Sequence, residues 1–104
     1  MNRDELLNEV RSRLETAFHA RLRGIVLYGS EARGTARPDS DIDLLVLLGG
    51  PVDFGRDLET AIDALYTLSV AIGRRISAVP VDAQEYQSVE CPLYQAAHRE
   101  GVAV

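Results

Sequence analysis

Asp41 and Asp43, separated by one apolar residue in SDIDLLV, are the side chains of this sequence best spaced to do chemistry together. Residues two apart on an extended chain leave the same face, about 6.5 to 7 Å apart, so both carboxylates can converge on one hard cation. Aspartate is depleted in strands, and a like-charged pair there is costly unless a cation offsets the repulsion. Ten residues separate Asp41 from an earlier Gly29-Ser30, within YGSEARG. A glycine that closes a strand lets backbone approach a ligand closely, and the free amides of a following helical turn offer donors to an anion. Ser30 adds a hydroxyl donor for a phosphate oxygen, while Arg33 and Arg37 bring positive charge within reach of the same loop. Taken alone, Gly-Ser reads as a turn and Asp-x-Asp as two solvated carboxylates. Together, with strands on either side, they read as a phosphate loop beside an Mg2+ site with phosphate as co-ligand.

The elements that must position this site follow from periodicity. Leu6, Leu7, Val10, Leu14, Ala17 and Phe18 recur at three- and four-residue steps, which predicts an amphipathic helix from Arg3 to Leu22 with Gly24 as its cap. Ile25 to Tyr28 reads as a short strand ending at Gly29, and Ser30 to Arg33 as a helical turn before Gly34. Asp41 to Leu48 is a second strand whose outer half is continuously apolar, as expected when both faces are covered. Phe54 to Ile72 is a second amphipathic helix, capped by Asp53 and ended by Gly73. Ile76 to Val81 forms a third strand, which Pro80 marks as an edge. Asp82 with Glu85 resembles the cap of a short helical turn, and a last helix runs from Pro92 to Glu100. Val102 and Val104 beyond it finish the sheet or face a partner. The fold class is α/β: two layers, a small mixed sheet of about three to four strands flanked by helices.

With 104 residues, residues 1–104 are expected to form a single domain. A net charge of -5 disfavours a nonspecific nucleic-acid binder, since the surface repels phosphates unless cations intervene. No apolar run is long enough to cross a bilayer, and MNRDELLNEVRSRL lacks the pattern of a secretory signal, so a cytoplasmic location is the expectation. The single cysteine, Cys91, reads as an inert thiol, and His19 and His98 as helix-borne histidines outside the chemistry. Tyr28 reads as core, and Arg74 and Arg75 as a solvated helix end rather than phosphate ligands.

The loop GSEARG, the strand SDIDLLV and the ending PLYQAAHREGVAV resemble the minimal nucleotidyltransferase (MNT) branch of the polymerase-β-like nucleotidyltransferase superfamily. The resemblance implies a nucleotidyltransferase fold in which Gly29 and Ser30, with Arg33, hold the triphosphate and Asp41 and Asp43 bind Mg2+. It implies transfer of a nucleoside monophosphate, AMP from ATP, to a hydroxyl. In this branch the acceptor is often a tyrosine of a HEPN-type toxin, so the resemblance implies an antitoxin.

One feature of that family is missing. Its members usually carry a third carboxylate on the following strand, in an apolar-Asp-apolar step best matched here by Ile76-Ser77-Ala78. A serine hydroxyl is a poor metal ligand and a poor base at neutral pH. Two expectations therefore stand side by side: an adenylyltransferase working without that acid, or an inactive binding module that neutralises its partner by contact. Asp82 is the nearest acid, but it lies past the strand and reads as a cap.

Overall fold

The computed structural model describes residues 1–87 and 92–104. Cys91 lies outside the described residues.

Helix α1 (Arg3–Phe18) opens on a capping box: the Glu5 amide donates to Asn2 Oδ1 at 2.8 Å and the Asn2 amide to Glu5 Oε1 at 3.4 Å. Leu6, Val10, Leu14 and Phe18 form its buried stripe. The helix stops earlier than its periodicity predicts, because His19 takes a positive φ of 53° and a single 3-10 turn, His19–Arg21, redirects the chain. Strand β1 (Leu22–Tyr28) therefore begins three residues early, and Gly24 is a strand residue at an irregularity in the pairing rather than a helix cap.

After β1 come the one-turn helix α2 (Gly29–Arg33), strand β2 (Ile42–Leu48), helix α3 (Phe54–Ile72), strand β3 (Ile76–Asp82), helices α4 (Ala83–Gln87) and α5 (Pro92–Glu100), and the short strand β4 (Val102–Ala103). The sheet order is β3-β2-β1-β4, with β2 and β3 parallel and the other neighbours antiparallel. The tail thus completes the sheet, and β3 with Pro80 is an edge.

Strand β2 sits in the middle, and alternation sends its side chains into two cores. Ile42, Leu44, Val46 and Leu48 pack with α1 and α3 in the larger cluster, whereas Leu45 and Leu47 join Val26, Val81, Tyr86 and Ala97 on the other face. Asp43 belongs by alternation to this second face, at the end of the strand where apolar cover stops. The N-terminus of α3 is fastened to the turn that precedes β1 by a charged clasp. Arg21 Nη1 and Nη2 donate to Asp57 Oδ1 and Oδ2 at 2.9 Å each, and Asp57 is 2% exposed. The guanidinium holds the Asp57 carboxyl below the usual carboxylate range, and the Asp53 amide adds a bond at 3.1 Å. Among the described residues, no helix is long and apolar enough to cross a membrane.

Candidate active site

Tyr28, the last residue of β1, pairs with Asp43 of β2, so the loop that follows one strand starts beside the acid of the other. Gly29 turns the chain with φ +73°, a left-handed backbone that favours glycine. A Cβ on it would lie 2.6 Å from Asp43 Oδ2, so the Asp43 carboxylate rests directly against the loop backbone. Helix α2 is a single turn ended by Gly34 at φ +74°, and the Thr35 amide closes it by donating to the Ser30 carbonyl at 2.9 Å. The chain then returns through a tight turn in which the Arg37 amide donates to Ser40 Oγ at 2.8 Å. Asp41 follows, exposed and one residue ahead of β2, whereas Asp43 is half-buried within it. The expected strand from Asp41 is thus shortened by one residue.

Burial raises the Asp43 carboxyl above its usual range, and the neighbouring Asp41 charge raises it further; Arg33 and Arg75 pull it back. Burial, then the Asp43 charge, raises the Tyr28 phenol as well. Tyr28 packs against the second core, as its reading as a core residue requires. A carboxylate that is partly desolvated and faces a second one calls for a cation.

The arginines divide in a way the sequence did not reveal. Arg74 is not solvated: its Nη2 lies 2.8 Å from Glu31 Oε2 and its Nε donates to the Ser40 carbonyl at 2.9 Å. That mostly buried brace joins α2 to the segment before Asp41. Arg33 makes a half-exposed ion pair with Glu100 of α5 at 3.3 Å. Arg75 is exposed, and its carbonyl accepts the Ile42 amide at 2.9 Å. Neither Glu31 nor Glu100 carried a sequence signal, since both partnerships join segments far apart in the chain.

Ser77 is in register with Asp43 across the parallel pair β2 and β3. Asp82 pairs with Leu48 at the other end of that ladder, where its carboxylate caps α4 by accepting from the Gln84 and Glu85 amides at 2.8 and 3.2 Å. The cap reading holds. His98 Nε2 lies 2.7 Å from the Tyr86 carbonyl, with its ring stacked on Tyr86 at 4.2 Å, and His19 ends α1. One groove of about 500 Å3, lined by Leu58, Ile62, Tyr66, Arg75 and Ser77 among others, reaches this region along the β3 edge. Another, of about 460 Å3, lies at the opposite end of β1 around Arg23 and Gly24.

The residues fit a magnesium ion shared with a triphosphate. Two carboxylates, whose charges act on one another, stand beside the glycine loop, with Asp43 packed against its backbone, and hard oxygen donors of this kind suit a hard dication. Among the described residues no group of three or more His, Cys, Asp or Glu side chains is placed to hold a metal.

The chain belongs to the nucleotidyltransferase domain family, which matches residues 3–102. A Methanocaldococcus jannaschii protein described as a candidate protein adenylyltransferase is 34% identical over 85 residues, covering 82% of this chain and 78% of the relative. A crystal structure of a toxin-antitoxin with AMP-PNP superposes with a TM-score of 0.65 at 22% identity, over 99% of this chain and 72% of the other. A structure of a tri-AMPylated Shewanella oneidensis HEPN toxin in complex with an MNT antitoxin gives 0.63 at 20% identity, over 96% and 69%. At these identities the two structures speak for the fold, which is the small mixed sheet flanked by helices expected for a nucleotidyltransferase.

Proposed function

We propose that this chain transfers AMP from ATP, with Mg2+, to a hydroxyl on a HEPN-type toxin, a tyrosine by preference, and so acts as the antitoxin of the pair. The observation that carries the reading is the contact of the Asp43 carboxylate with the Gly29 backbone, which joins a phosphate loop to an acidic strand in a member of the nucleotidyltransferase family. The toxin-antitoxin character of the two similar structures and the name of the archaeal relative support the choice of acceptor.

In this reading Gly29 and Ser30 hold the triphosphate through backbone and hydroxyl donors, and Arg33 adds charge to it. Asp41 and Asp43 would hold the magnesium ion, which would supply neutralisation of the phosphate charge. The acceptor oxygen forms a bond to the α-phosphorus as the bond to the β-phosphate bridging oxygen breaks. Pyrophosphate departs with that electron pair, and the hydroxyl proton passes to solvent. Incubation of the chain with labelled ATP, Mg2+ and a purified HEPN partner tests this: one AMP per modified tyrosine is expected by intact mass, and nucleotide binding without any label on the partner would sink it.

Ser77 beside Asp43 favours a second reading, an inactive module that neutralises its partner by contact. It predicts that Asp41→Asn with Asp43→Asn leaves toxin neutralisation intact; in the transfer reading that double variant loses it.

A further inference from the structure

We infer that this site works with one divalent cation rather than two, and that the Arg75 guanidinium supplies the positive charge on the side of the site where Ser77 stands. The inference rests on the transfer reading above and specifies how that same site works.

Sites that clamp both the attacking and the leaving oxygen with metal hold two ions about 3.5 to 4 Å apart, and each ion needs anionic ligands of its own. Here the β3 residue in register with Asp43 is Ser77, whose neutral hydroxyl is a weak ligand for a hard dication. No third His, Cys, Asp or Glu among the described residues joins the pair in a metal-holding group. Two carboxylates and a triphosphate suffice for one ion.

What does stand on that side is cationic. The Arg75 carbonyl accepts the amide of Ile42, the residue between the two aspartates, which pins Arg75 beside the pair. Arg75 stands immediately before β3, two residues ahead of Ser77. Its charge is felt at Asp43, alongside that of Arg33. Yet the Arg75 side chain makes no hydrogen bond or ion pair among the described residues, whereas its neighbour Arg74 is fully engaged by Glu31 and Ser40. Arg75 and Ser77 also line the groove along the β3 edge. An unengaged guanidinium beside the pair is placed to stabilise charge on the attacking oxygen or the α-phosphate as the new bond forms. Because Ser77 is no carboxylate, the acceptor proton leaves to solvent.

The test is a count of ions on the whole chain. Mn2+ is titrated in the presence of α,β-methylene-ATP and read by electron paramagnetic resonance, with one Mn2+ expected per wild-type chain and two per Ser77→Asp chain. Two ions on the wild type, none with the analogue bound, or one on a folded Ser77→Asp variant overturns the inference. Loss of both analogue and Mn2+ binding in the wild type removes the transfer reading with it. Arg75→Ala should keep one Mn2+ and near wild-type analogue affinity while lowering transfer to the partner by about tenfold or more. Arg75→Lys should restore most of that loss, and unchanged transfer by Arg75→Ala overturns the role of the arginine.

Discussion

Gly29 and Asp43 meet so closely that a methyl group on the first would stand 2.6 Å from a carboxylate oxygen of the second. The contact is made because β1 and β2 pair with Tyr28 opposite Asp43, which delivers the loop and the acid to one point. Whatever binds the loop through its backbone is therefore within reach of the carboxylate.

Gly29→Ala tests that closeness. The left-handed backbone alone costs an L-residue about 1 to 2 kcal/mol, and the added methyl must also displace Asp43. Urea denaturation should show a loss of at least that size, and nucleotide affinity should fall even under conditions where the variant is folded.

Asp43→Asn separates stability from function. The Asp43 charge is partly desolvated and opposed by Asp41, so without a cation it burdens the fold. In metal-free buffer at neutral pH the variant should melt a few degrees above the wild type. Added Mg2+ and nucleotide should raise the wild type and leave the variant unmoved, and transfer should drop by about a hundredfold or more.

Arg33 and Glu100 should act in opposite directions. Their ion pair is half-exposed and so contributes little to stability, but it competes for a guanidinium assigned to the triphosphate. Glu100→Gln should tighten nucleotide binding a few-fold, and Arg33→Ala should weaken it by about tenfold, both read by calorimetry. Equal effects of the two substitutions would remove Arg33 from the site.

The Arg21–Asp57 clasp sets an acid-sensitive part of the stability. Its folded-state carboxyl titrates below the unfolded value, so the stabilisation is complete above the unfolded range near about 3.9 and is lost as pH falls through the folded value. Asp57→Asn should cost about 2 to 3 kcal/mol at pH 7. The gap between variant and wild type should close in thermal melts taken at progressively lower pH through that window.

Much of this was legible in the chain itself. The run DLLVLL announces a strand buried on both faces, and β2 is the central strand of the sheet with both cores upon it. Pro80 marks an edge, and β3 is one. The boundaries were less so: His19, not Gly24, ends the first helix, because a positive φ at a non-glycine residue leaves no signature in composition.

The sequence by itself determined the ingredients of the candidate site, since a glycine bend, a serine and two aspartates at this spacing are local features fixed by residue type and strand periodicity. Register and long-range pairing belonged to the tertiary structure alone. It stands Ser77 beside Asp43, commits Arg74 to Glu31 while its neighbour Arg75 carries no such tie among the described residues, and brings Glu100 across from the last helix to Arg33. Those are contacts between segments decided by how helices and strands pack, and no local pattern encodes which of two adjacent arginines the fold will use.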